Sequence, residues 1–235
     1  MINDKFLRIA GPCAVESYEQ MSKTAQAIAE NIDILRGGAY KPRSNPASFQ
    51  GLGVQGLEIL HKVGKEIGKP VITEVLDPRH LENICKFSDY LQIGARNMQN
   101  FELLKEVARS GKTVVLKRGM GAKVSEWIMS AQYILAGNSK VILCERGIRT
   151  FEDSTRFTLD LSGAMVAKIE SGLPVIIDPS HATGRKDLIL SMCMAACAAG
   201  FDGIMVEAHN DPQNALCDAD QALSPGEYNK IIEGI

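Results

Sequence analysis

The chain has 235 residues, 45% hydrophobic and 23% charged, enough for a full core under an ordinary solvated surface. Its net charge of −2 gives no electrostatic reason to expect nucleic acid or an anionic membrane as a partner. No apolar run approaches the roughly 20 residues that a membrane span needs, and MINDKFLRIAG lacks the basic-then-apolar layout of a signal peptide.

In chain order, short apolar runs alternate with helical stretches. LRIAGPC leads into QMSKTAQAIAENI with Ser17 as a helix start, and ILRGGAYKPR leads into GLGVQGLEILHKVGKEIG, closed by Gly68. PVITEV precedes DPRHLENICKF, entered through Asp77-Pro78, and YLQIGAR precedes MQNFELLKEVARSG, closed by Gly111. TVVLKRG is followed by SEWIMSAQYILAGN, VILCERG by TRFTLDLSGAMVAKIESG, and PVIIDPSH by RKDLILSMCMAACAAGF. GIMVEAH is the eighth run, and LSPGEYNKIIEGI reads as a terminal helix with Ser224 as cap and Pro225 at its first position. Eight strand-like runs separated by helices predict an α/β fold, a single (β/α)8 TIM barrel. Without a linker or low-complexity tract, residues 1–235 are expected to form one catalytic domain with no separate regulatory domain.

In such barrels the active site is assembled at the C-terminal mouth from strand ends and the loops after them. Here Arg36, Lys41, Arg43, Arg96, Lys117 and Arg146 fall at or near successive strand ends. Cations gathered on one rim repel unless an anion lies between them, and guanidinium groups match phosphate and carboxylate oxygens two at a time. A small, doubly anionic substrate is the expectation. The IGAR turn adds backbone N–H groups beside Arg96, and Gly94 is expected to let a phosphate approach closely.

A second constellation joins Cys13 to His181, Glu207 and Asp218, from strand ends one, seven and eight and the loop after the eighth. Thiolate, imidazole and carboxylate suit one first-row divalent ion: Mn²⁺, Fe²⁺, Co²⁺ or Zn²⁺. His209 shares the strand face of Glu207 and competes with it as ligand, Asp220 competes with Asp218, and Asp178-Pro179-Ser180-His181 also fits a capped turn. The six cysteines carry no mark of secretion, so reduced thiols and a cytoplasmic location are expected. Cys193 and Cys197, four apart on an apolar helix, are expected to be buried.

The strings GPCAVES, KPRSNPASFQGLG, IGARNMQN, LKRGM, CERGIRTFE, DPSHATGR and VEAHNDPQNALCDADQAL, in this order, resemble the short bacterial and archaeal 3-deoxy-D-arabino-heptulosonate 7-phosphate (DAHP) synthases. The resemblance implies condensation of phosphoenolpyruvate with erythrose 4-phosphate, with Cys13, His181, Glu207 and Asp218 as metal ligands. It assigns phosphoenolpyruvate to Arg36, Lys41, Arg96, Lys117 and Arg146, with the Gly94-Ala95 turn, and the aldose phosphate to Arg43 and Ser44. It further implies Lys41 as proton donor and a homotetramer, and relatives' regulatory domains make insensitivity to Tyr, Phe and prephenate an expectation for this chain.

A sister family, the 3-deoxy-D-manno-octulosonate 8-phosphate synthases, usually carries a KANRSS-like string where Lys41-Pro42-Arg43-Ser44 stands here. Asn45-Pro46-Ala47 also departs from the KPRTSP pattern, which bears on the sugar end of the pocket. Two other readings are a class I aldolase using Lys41 or Lys117 as Schiff base, and a phosphate-binding barrel without catalysis. SEWIMSAQYILAG and LILSMCMAACAAG are apolar beyond one stripe, which predicts subunit contacts.

Overall fold

The computed structural model describes residues 6–43 and 45–235. Its parallel strands close in sequence order: β1 (Leu7–Gly11), β2 (Ile34–Arg36), β3 (Val71–Glu74), β4 (Tyr90–Ile93), β5 (Thr113–Lys117), β6 (Lys140–Glu145), β7 (Val175–Ile177) and β8 (Gly203–Glu207). β8 pairs with β1 from Leu7 opposite Gly203 to Gly11 opposite Glu207, so residues far apart in the chain share one rim. This is the (β/α)8 barrel that the spacing predicts. Around it lie α1 (Tyr18–Ile28), α2 (Val54–Glu66), α3 (Leu81–Phe87), α4 (Phe101–Ala108), α5 (Val124–Leu135), α6 (Leu161–Ser171), α7 (Pro179–Thr183), α8 (Lys186–Ala198) and α9 (Pro225–Glu233). Among the described residues, no helix is long and apolar enough to cross a membrane.

The helix ends follow local chemistry. The Ser17 side chain accepts from Gln20 N at the start of α1, and Ser224 and Glu227 form a reciprocal box around Pro225 in α9. α6 ends on Gly172 in the left-handed region, at φ 65°. It begins at Leu161, six residues later than TRFTLD suggests, because Asp160 caps it through Gly163 N. Residues 148–158 instead form a loop held by a bridge between Ile148 and Thr158.

The core has two layers, set by side-chain alternation along each strand. Ile9, Ile34, Ile72, Val115, Ile142, Cys144, Ile176 and Met205 fill the barrel. Their outward neighbours, Ala10, Leu35, Leu116, Leu143, Ile177 and Val206, pack under the helices. Cys193 is buried as expected, whereas Cys197 is exposed: four residues on, it lies past the edge of the face that α8 packs against the strands. Met129 and Tyr133 on α5, with Leu190 and Met194 on α8, are exposed as well.

Candidate active site at the barrel mouth

Two residues beyond the inner apolar layer, the same face turns polar. Arg36 follows Ile34, Glu74 follows Ile72, Lys117 follows Val115, Arg146 follows Cys144, Asp178 follows Ile176 and Glu207 follows Met205. The barrel filling therefore ends in a charged floor, and Arg36, Lys117, Arg146, Asp178 and Glu207 are all buried there.

On one side of this floor, ligand atoms of Cys13, His181, Glu207 and Asp218 lie within 4.8 Å of one another. The Cys13 thiol donates to Asp218 Oδ2 at 3.0 Å, and Lys41 Nζ donates to Cys13 Sγ at 2.9 Å. His181 Nε2 lies 3.1 Å from Glu207 Oε1, which also accepts from Arg36 Nη1 at 3.0 Å. On the other side of the ring, His181 Nδ1 sits 2.6 Å from Asp178 Oδ2, which Lys117 Nζ also reaches at 2.6 Å. Asp178 further caps α7 through His181 N, so the capped-turn reading of Asp-Pro-Ser-His holds together with the placement of His181 among these donors.

The charges reinforce one another. Burial works against a charged His181, but Asp178 and Glu207 outweigh it and raise the ring to about 9. Burial likewise opposes ionisation of Glu207, yet His181 and Arg36 hold it well below the usual carboxylate range. Lys41 keeps its ammonium despite burial because Cys13 and Glu74 raise it. The Cys13 thiol is pushed up by Cys217, by burial and by the Glu207 charge.

These residues fit a divalent cation. Thiolate, imidazole and two carboxylates are donors of the right chemistry, and their convergence from three strand ends needs no rearrangement of the fold. Asp178 on Nδ1 leaves Nε2 facing the other three donors, the usual orientation of a metal-binding histidine. Competing ligands are drawn away. The chain leaves the strand after Glu207, so His209 turns to Asp211 N at 2.9 Å and faces Glu16 at 3.5 Å. Asp220 is exposed over a separate groove.

Beside the four donors opens a cavity of about 330 Å³. Arg36, Lys41, Arg43, Arg96, Lys117 and Arg146 all line it, together with Gly94 and Ala95. Ser44 lies outside the described residues. Arg43 Nη1 contacts Cys217 Sγ at 2.9 Å, and Arg96 is exposed. Arg146 is buried yet only half satisfied: Nη2 donates to the His181 carbonyl at 3.2 Å, Nη1 is buried without a partner among the described residues, and burial lowers its pKa. Its guanidinium lies 4.3 Å over the Phe157 ring.

Gly94 has a structural duty besides lining the cavity. A Cβ there would strike Glu74 Oε1, so the glycine makes room for a carboxylate of the neighbouring strand. Glu74, Gln92, Arg156 and Phe157 also line the cavity without having been singled out in the sequence. Glu74 and Gln92 obey the same alternation that finds Lys117. Arg156 and Phe157 come from the loop read as the start of a helix, and no local pattern marks them.

Comparison with known proteins agrees with this architecture. The family model described as DAHP synthetase I family matches residues 2–233. A phospho-2-dehydro-3-deoxyheptonate aldolase of Thermotoga maritima is 47% identical over 233 residues, covering 98% of this chain and 69% of its own. A 2-dehydro-3-deoxyphosphooctonate aldolase of Hydrogenovibrio crunogenus is 33% identical over 254 residues, covering 99% of this chain and 90% of its own. The crystal structure of the Thermotoga maritima DAHP synthase superposes with a TM-score of 0.95 at 46% identity, over 99% of this chain and 68% of that one. A truncated form of the Thermotoga maritima enzyme gives 0.91 at 43% identity, over 99% and 86%. With the matched region running through both the barrel and its mouth, the chain belongs to the DAHP synthetase I family.

Proposed function

We propose that this chain is a DAHP synthase, condensing phosphoenolpyruvate with D-erythrose 4-phosphate and water to give DAHP and phosphate. The observation that carries this reading is the junction of two sites in one mouth. A cavity lined by seven lysine and arginine side chains and two carboxylates opens beside a Cys-His-Glu-Asp donor set. An enol phosphate with its own carboxylate supplies the anionic charge that the cations lack.

The residues divide the work. Arg36, Arg96, Lys117 and Arg146, beside the Gly94-Ala95 turn, bind and orient phosphoenolpyruvate, and Arg43 with Ser44 takes the phosphate of the aldose. Fixing both partners in contact removes much of the entropic barrier to carbon–carbon bond formation. Negative charge develops on the former aldehyde oxygen, and Lys41, whose ammonium borders both cavity and thiol, donates a proton there. Arg146, with an N–H to spare, holds the phosphate as it leaves. Cys13, His181, Glu207 and Asp218 would hold one divalent ion among Mn²⁺, Fe²⁺, Co²⁺ and Zn²⁺. Such an ion supplies Lewis acidity at the aldehyde oxygen or activates water. A cytoplasmic location goes with this reading, since Cys13 must stay a free thiol. The exposed apolar side chains of α5 and α8 support a homo-oligomer, a tetramer by family resemblance.

The eight-carbon synthase is the second reading, supported by the 33% identical relative. The KPRS string favours the four-carbon aldose. A Schiff-base aldolase is disfavoured because Lys41 holds its proton and Lys117 is paired with Asp178. Product analysis with erythrose 4-phosphate and arabinose 5-phosphate offered side by side tests the assignment. The seven-carbon product is expected, with activity lost to a chelator, restored by Mn²⁺ and absent in Cys13→Ala. A dominant eight-carbon product, or full activity in metal-stripped protein, overturns it.

A further inference from the structure

The loop before α6 binds the candidate metal site more closely than its place in the chain suggests. Arg156 Nη1 donates to Asp218 Oδ1 at 3.3 Å and to Gln221 Oε1 at 2.9 Å. Gln221 in turn donates from Nε2 to Glu207 Oε2 at 2.7 Å. One guanidinium therefore reaches two of the four donor residues, one directly and one through an amide that it orients.

The backbone beneath that guanidinium is fixed to a third donor's helix. Arg156 N donates to the Thr183 carbonyl at 2.9 Å and Phe157 N to the Ala182 carbonyl at 2.7 Å, both on α7 beside His181. Packing is tight here: a Cβ on Gly184 would meet Arg156 Cβ at 2.8 Å. Asp218 has reason to need such support. It is the one non-glycine with positive φ among the described residues, at 53°, a conformation that persists only where its surroundings impose it. Its carbonyl accepts from Gln221 N and Ala222 N at 3.2 Å, which holds the turn but not the side chain. Besides Arg156, the carboxylate's one hydrogen-bonding side chain among the described residues is the Cys13 thiol, which must lose its proton to bind a metal.

We propose that Arg156 is a positioning residue that fixes the carboxylate half of the metal site, aiming Asp218 directly and Glu207 through Gln221. The inference rests on the metal-dependent reading above. Arg156 touches no reacting atom in it, and its role is to order ligands before the cation arrives. Removing a hydrogen-bond partner of this kind typically weakens metal binding about ten- to a hundredfold.

The test is calorimetric titration of metal-stripped protein with Mn²⁺ alone, without substrates, for wild type, Arg156→Ala and Arg156→Lys. The side chain is 40% exposed, so its truncation leaves the core intact, and thermal melting checks this. Arg156→Ala is expected to lose about ten- to a hundredfold in Mn²⁺ affinity, with Arg156→Lys recovering part of it. With Co²⁺, the thiolate-to-metal band from Cys13 should persist in Arg156→Ala while the d–d bands shift. Unchanged Mn²⁺ affinity and an unchanged Co²⁺ spectrum in Arg156→Ala overturn the proposal while leaving the metal site standing. A wild-type protein that binds no Mn²⁺ removes the site itself and the proposal with it.

Discussion

Lys117 and Arg118 are neighbours in the chain, as are Glu145 and Arg146, yet each pair is split by the barrel wall. Lys117 and Arg146 face the mouth, whereas Arg118 and Glu145 face the layer under the helices. On the outer side the charges are complete. Arg118 donates to Glu145 Oε2 at 3.0 Å, Asp160 Oδ2 at 2.8 Å and the Ala122 carbonyl at 3.1 Å, and lies over the Trp127 ring. Glu145 also accepts from Gly147 N at 2.6 Å. On the inner side the set is unfinished: Arg146 has no carboxylate partner, and cations outnumber carboxylates around the cavity. The outer cluster serves the folded chain, while the inner one is poised for an anion. Burial and charge alone do not tell a site from a strut; the state of the hydrogen bonds does.

The sharpest break of this comparison is Arg118→Ala. It strands Glu145, whose carboxyl burial already pushes up against the pull of Arg118. Losing one partner of such a buried network costs about 3–5 kcal/mol. Urea unfolding should show a loss of that size, with the KM for phosphoenolpyruvate in the folded fraction changed less than about twofold. Replacing both Arg118 and Glu145 with apolar residues of similar volume should recover most of it. A large KM change with little loss of stability would move Arg118 into the active site.

Arg146→Met is the mirror experiment. It removes a buried cation without a carboxylate partner, so the ligand-free protein should melt no lower than wild type. Phosphoenolpyruvate should bind more weakly by about 1.5–3 kcal/mol, the worth of a hydrogen bond to a charged group. That is a KM rise of roughly ten- to hundredfold. A clear fall in the melting temperature without ligand would mean that Arg146 is structural after all.

The same wall explains what could be read in the sequence. Strand-end charges such as Lys117 and Glu207 were legible because a two-residue alternation carries an apolar inner layer straight into a polar one. Ser17, Gly172 and the Ser224–Glu227 box were legible because caps are local chemistry. Glu74 and Gln92 obey the same alternation, but one acid and one amide carry no charge pattern that sets them apart from ordinary strand-end polar residues. Arg156, Phe157 and Gln221 were out of reach, because their roles arise from contacts across dozens of residues between loops that follow no period. TRFTLD reads as helix in the sequence because Asp160, the true cap of α6, lies inside an otherwise helical pattern. His209 competes with Glu207 in the sequence because alternation does not reveal that β8 stops at Glu207.

The mildest change separates two duties of one outer residue. Asp160 Oδ1 accepts from Gly163 N at 2.8 Å to start α6, while Oδ2 meets Arg118 at 2.8 Å. Asp160→Asn retains an oxygen for the cap, since asparagine caps about as well as aspartate. It removes the charge facing Arg118, but Glu145 remains as counter-ion and Asp160 is partly exposed at 23%, so screening weakens what is lost. The expected cost is about 1 kcal/mol in urea unfolding, within the range of an exposed ion pair. Asp160→Ala should cost about 1 kcal/mol more, because the cap goes too. If the two variants unfold alike, the cap contributes nothing here, and α6 is held by its packing against the outer layer alone.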